Sequence, residues 1–149
     1  MEHNKRRARA RHRAIVSEVY SPPRVAAAAR VLADLRIDPG LSMDITTTDE
    51  VGDAWGFSKH SMRAKAKRRL EEQDPELLVG SPMCTMYSPW QRINRFRDVS
   101  RYKREKKRAR RHLEFVCELY HMQLARGRLF LHEHPAQADS WEELCHQTP

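Results

Sequence analysis

The side chains in this chain that could do chemistry stand where short apolar runs give way to loops. Cys84 lies in Ser81-Pro82-Met83-Cys84-Thr85, directly after the apolar run that ends at Gly80. Glu133 lies in Glu133-His134-Pro135 after the run Leu129-Phe130-Leu131-His132, and Asp44 closes another such run. A thiol at such a junction becomes a nucleophile when backbone amides or cations favour its thiolate, and a carboxylate stands on a sister run. An acidic residue at a further run end can hold the hydroxyls of a ribose. The other reading stands beside this one: an isolated cysteine is a small, inert hydrophobe, and Asp44 and Asp49 are turn formers.

The runs themselves suggest how these residues are brought together. Residues 14–20, rich in β-branched side chains and stopped by Ser21-Pro22-Pro23, read as a first strand. An alanine-rich helix over 24–36 follows, ended by the turn chemistry of Asp38-Pro39-Gly40. Residues 41–46 read as a second strand, 58–73 as a charged helix and 76–80 as a third strand. A loop over 81–94 precedes a long helix in which Leu113, Val116, Cys117, Tyr120 and Leu124 form one apolar stripe, and Gly127 stops it. Residues 128–132 give a fourth strand, ended by Pro135, and Trp141 opens a last helix. Strands alternating with helices predict an α/β fold: a partial doubly wound, Rossmann-like sheet, mostly parallel, with helices on both faces. Such sheets bind ligands beyond the carboxyl ends of their strands, where Cys84, Glu133 and Asp44 fall.

The bulk composition narrows the partner. The chain has 149 residues, 28 Lys and Arg against 20 Asp and Glu, and a net charge of +8. A length of this order suits one domain, and the basic excess points to a polyanion, DNA or RNA. Residues 1–13 are read as a basic disordered arm, 14–145 as the domain and 146–149 as a tail. Residues 92–111 hold eleven Arg or Lys, with Phe96 and Tyr102 among them. Arg92, Arg95, Arg97, Arg101, Lys103 and Arg104 are the candidate nucleic-acid contacts, against the alternative of a merely solvated helix end. Three widely spaced cysteines fit neither a disulfide framework nor a zinc pattern. With no apolar run long enough for a membrane, the expected location is intracellular, and nuclear in a eukaryote.

Beyond composition, the stretch Gly80-Ser81-Pro82-Met83-Cys84-Thr85-Met86-Tyr87-Ser88 resembles the catalytic loop of cytosine-C5 DNA methyltransferases, Gly-Gly-Pro-Pro-Cys-Gln-x-Phe-Ser. Leu131-His132-Glu133-His134-Pro135 is similar to that family's Glu-Asn-Val motif. Glu18-Val19-Tyr20-Ser21-Pro22-Pro23 occupies the place of its cofactor loop, with prolines where the family has glycines. The resemblance implies S-adenosylmethionine as cofactor, bound near Tyr20, Ser21, Asp44, Asp49 and Pro82. It also implies Cys84 as the nucleophile that adds to C6 of an extruded cytosine, with Glu133 at the base's N3 edge. Motifs worded in this way also resemble domains of mobile-element and phage-like reading frames. The family continues past its glutamate, which implies a domain truncated at its C-terminus and an open sheet edge covered by a partner or a second copy.

Several other constellations were weighed on the same residues. His132 and His134 flank Glu133 and would share a face, but no third ligand stands at a telling spacing, so no metal is expected. Trp55, Trp90 and Trp141 lie outside the apolar strands and are expected to cap the core from loops. There is no nucleophile elbow with a Ser-His-Asp set and no Gly-rich phosphate loop. Two functions therefore remain: a methyltransferase-like domain directed at cytosine, active or degenerate, and a basic nucleic-acid-binding module of a mobile element without catalysis.

Overall fold

In the computed structural model the described residues are 13–145. The basic arm lies outside them except for Arg13, as does the tail over 146–149. The elements run β1 (Ala14–Val19), α1 (Arg24–Val31), β2 (Ile37–Met43), α2 (His60–Gln73), β3 (Leu77–Gly80), α3 (Gln91–Asn94), α4 (Val99–Ala125), β4 (Leu129–His132) and α5 (Ser140–Cys145). All strands pair parallel, in the order β2-β1-β3-β4, so the fold is the α/β parallel sheet that the alternation of strands and helices implies. The strand order reverses direction after β1: β2 lies on one side of it and β3 and β4 on the other.

Both faces of the sheet carry helices, as strand alternation makes clear. The Glu18 side chain reaches the first turn of α1, whereas its neighbour Val19 pairs in register with Gly80, above which Tyr120 and Val116 of α4 sit. Successive strand residues point to opposite faces, so α1 and α4 lie on opposite sides. Gly80 is required there, because a Cβ would fall 2.0 Å from the Tyr120 hydroxyl. The main core lies on the α4 side, where Leu113, Val116 and Leu119 of α4 meet Met62, Ala66 and Leu70 of α2 over Val19, Met43 and Leu78. On the other face, Leu129 and Leu131 of edge strand β4 remain 65% and 50% exposed, in register with half-buried Leu77 and Val79.

Two sequence expectations are corrected. Asp38-Pro39-Gly40 is no turn: α1 ends at Val31, a short 3-10 turn spans Ala33–Leu35, and all three residues belong to β2. An edge strand tolerates proline because its outer amides have no ladder partner to lose. The ladder steps from Val16↔Pro39 to Glu18↔Ser42, so β2 carries an extra residue as a bulge. The amide this frees on Leu41 is taken by Ser17 Oγ at 3.1 Å and Gln73 Oε1 at 3.0 Å, and Gly40 leaves the room for both. Trp90 is the second correction, because it is 73% exposed and caps nothing. Trp55 is buried and Trp141 packs against the core, as expected.

The joint between β1, β2 and α1 rests on one buried acid. Glu18 is wholly inaccessible, and its carboxylate accepts from the amides of Val25 at 3.2 Å and Ala26 at 3.0 Å and from Ser42 Oγ at 3.0 Å. These amides are among those a helix start leaves unpaired, and the positive end of the helix favours the negative charge. Removing the carboxylate would strand the two amides and a hydroxyl in the interior. Glu18→Ala is expected to lower the unfolding free energy by about 2–4 kcal/mol in urea titration, and Glu18→Gln by roughly half as much. Equal stability of Glu18→Ala and wild type would show that Glu18 does not hold this joint.

Candidate functional site

The loops leaving β1, β3 and β4 surround one cavity of about 310 Å³ at the point where the strand order reverses. Cys84 and Glu133 both line it, Cys84 half-buried and Glu133 exposed. From the β1 exit come Tyr20, Ser21, Pro22 and Arg24, and Pro82 and Met83 complete the Cys84 side. Cys84 and Glu133, 49 positions apart in the sequence, thus line the same cavity.

What holds the Cys84 loop is a set of ties to its neighbours. Ser81 donates its amide to Val19 O at 3.1 Å, carrying the β1 ladder one residue beyond β3. Cys84 O accepts from Tyr87 N at 2.9 Å and so opens the 3-10 turn Thr85–Tyr87, whose Tyr87 is buried. His134 supplies the cross-tie: its Nε2 meets Pro82 O at 2.7 Å and its Nδ1 meets Ser140 Oγ at 2.5 Å. A carbonyl can only accept, so Nε2 carries the proton and neutral Nδ1 accepts from the serine hydroxyl. Burial favours that neutral form by pulling the His134 pKa below its ordinary value, against a smaller opposing effect of the Pro82 carbonyl. One imidazole therefore fixes the Cys84 loop to the strand end that presents Glu133. His132, its ring 4.6 Å from that of His134, meets the Tyr120 hydroxyl through Nδ1 at 2.8 Å, and burial drives its pKa down to about 4.

The residues expected to hold S-adenosylmethionine do not come together as a set. Ser21 and Pro82 line the cavity, but Ser21 Oγ is bonded to Pro22 O. Tyr20 has a left-handed backbone at φ 59°, and its ring turns into the core against Phe57, 4.8 Å away, with its hydroxyl 2.8 Å from His112 Nδ1. Asp44 and Asp49 do not line the cavity. Asp44 folds back on Thr46, accepting from its amide at 2.9 Å, in a turn of its own. Asp49 is bound to Lys65 and to the amides of Val51 and Asp53, and the Lys65 ammonium holds its carboxyl down to about 2. The α1 amides that could face a ligand are occupied by Glu18, and Pro22 and Pro23 offer no N–H. A cavity of about 310 Å³ is at the small end for ligand sites. These residues do not fit S-adenosylmethionine.

A second cavity, of about 600 Å³, adjoins the first through Thr85, which lines both. Arg97, Arg101 and Tyr102 line it together with Gln91, Asn94 and Glu105; Asp98 also borders it, but caps α4 by accepting from the Arg101 amide at 2.8 Å. Arg95, Lys103 and Arg104 are exposed close by on the same stretch, while the Arg92 side chain lies outside what is described. Among the described residues no group of three His, Cys, Asp or Glu is placed to hold a metal ion, and no helix is long and apolar enough to cross a membrane.

Fold and site together define an α/β parallel-sheet protein with a thiol-and-carboxyl cleft at its switch point. The chain matches no family model, no curated protein and no solved structure. Sequence reasoning missed Glu18 as a buried clamp and His134 as a loop tie. The signal for the first was an acid inside an otherwise apolar strand. For the second nothing local served, since Pro82 lies 52 residues earlier in the sequence.

The buried imidazoles have a consequence for pH. Burial lowers the pKa of His112, His132 and His134 in the fold, whereas in the unfolded chain each titrates near its ordinary 6.5. Below about pH 6.5 the unfolded state binds protons that the folded state refuses, so stability is full above that value and falls toward pH 4, where His132 titrates. The carboxyls held down by Lys65 and Arg128 lose their contribution only at lower pH. The melting temperature is expected to drop between about pH 7.5 and about pH 5. An unchanged value would mean that these histidines are as protonatable in the fold as outside it.

Proposed function

We propose that this chain is a nucleic-acid-binding domain built on a cytosine-C5 methyltransferase-like sheet, with the base-receiving half of the site in place and the cofactor half not formed. The observation that carries the reading is that Thr85 lines both cavities. One presents Cys84 and Glu133, and the other is lined by Arg97 and Arg101. A nucleotide whose base enters the first has its phosphates beside the second. A net charge of +8 supplies the attraction, and phosphate contacts from exposed arginines position the strand without reading its sequence.

A second reading, an active methyltransferase, is favoured by the meeting of Cys84 and Glu133 in one cleft. In that reading the thiolate adds to C6 of an extruded cytosine while Glu133 contacts its N3 edge. S-adenosylmethionine would supply the methyl group, and its binding is the point on which the readings part. Titration calorimetry with S-adenosylhomocysteine is expected to give no heat of binding. A mixed-sequence oligonucleotide should bind, with log K falling against log salt at a slope of about −3 to −4 for four or five phosphate contacts. Cys84→Ser should leave that binding unchanged. Saturable binding of S-adenosylhomocysteine to the folded chain would overturn the first reading in favour of the second, and salt-independent or absent oligonucleotide binding would overturn both.

A further inference from the structure

The segment between the Cys84 loop and α4 exposes large apolar side chains on the most basic part of the surface. Trp90 is 73% exposed, Phe96 72% and Ile93 64%, and all three sit on or beside α3, a single helical turn. The Arg95 guanidinium lies 4.6 Å from the centroid of the Phe96 ring. Exposure of this kind costs solubility and needs an occupant, and the surrounding charge selects which one. Arg95, Arg97 and Arg101 would repel a basic partner, and a purely apolar protein partner would leave their charges unpaired.

We propose that Trp90 and Phe96 form a stacking platform for unpaired bases, so that the chain binds single-stranded nucleic acid in preference to duplex. An unpaired base offers a π-face to each ring, the arginines meet the phosphates between them, and Gln91 and Asn94 present amides to base edges in the adjoining cavity. In a duplex the bases are stacked on each other, so the rings have nothing to cover and only the phosphate contacts remain. A base that enters the neighbouring Cys84 cavity must already be out of its stack. This inference rests on the nucleic-acid part of the proposed function and not on its cofactor half, because the platform lies outside the Cys84 cavity.

The test is fluorescence anisotropy with one labelled mixed-sequence deoxyoligonucleotide, alone and annealed to its complement. The single strand is expected to bind roughly ten-fold or more tightly than the duplex, and Trp90→Ala and Phe96→Ala each to weaken single-strand binding by roughly ten-fold. Both side chains are exposed, so the variants fold, as circular dichroism checks. Both should leave the salt slope unchanged, whereas Arg97→Ala with Arg101→Ala should flatten it by about one to two. Trp90→Phe, which keeps an aromatic face, should recover most of the affinity. Equal or tighter duplex binding, with the two aromatic truncations indistinguishable from wild type, overturns the platform while leaving nucleic acid as the partner. No binding of either oligonucleotide overturns the platform together with the reading beneath it.

Discussion

The buried Glu18 carboxylate is the constraint around which this sheet is arranged. It joins the first strand to the second through Ser42 and to the first helix through the Val25 and Ala26 amides, and it sits wholly out of water. A buried carboxylate is tolerable only with such partners, and here they are the amides a helix start leaves open. The same arrangement removes from the switch point the feature that open α/β sheets use to receive phosphate, a helix N-terminus with free amides. The chain has used that feature internally.

From this follows the asymmetry of the site. At the β1 exit, Ser21 is bonded to its own loop, two prolines carry no N–H, and Tyr20 spends its ring on the core. A left-handed backbone at a tyrosine costs on the order of 1–2 kcal/mol, and the packing against Phe57 with the bond to His112 offsets it. At the β3 and β4 exits the opposite holds, since His134 ties the Cys84 loop through Nε2 to the strand end bearing Glu133, with Nδ1 held by Ser140. Thr85 lines both the Cys84 cavity and the larger one that Arg97 and Arg101 share with Asp98 and Glu105.

Much of the fold was legible in the sequence, because β1, β3 and β4 are short, mainly apolar runs, α2 is a charged run of good helix formers and α4 carries a helical stripe. Only α/β alternation then made sense, and with it the gathering of Cys84 and Glu133 beyond the strand ends. β2 was misread because Pro39 and Gly40 are turn residues almost everywhere except in a bulged edge strand, and whether a strand lies at an edge is a property of the whole sheet. Trp90 was misread because an indole in a loop is usually buried by something, and only the assembled surface shows that nothing here covers it. The sequence leaves the aspartates open between ligand and turn, and both serve turns: Asp44 through Thr46, and Asp49 through the Val51 and Asp53 amides with Lys65 of α2. His134 could not be read at all, since its role is defined by Pro82, 52 residues earlier.

On the proposed function, the β3 and β4 exits with the following basic segment form the working surface, and the β1 exit is internal structure. Amide hydrogen exchange of the full chain, free and saturated with a single-stranded oligonucleotide, tests this directly. Exchange is expected to slow across residues 84–87 and 91–104 and to stay unchanged across residues 20–26 and 44–53. Protection confined to residues 20–26 and 44–53, with the basic segment unaffected, would contradict it.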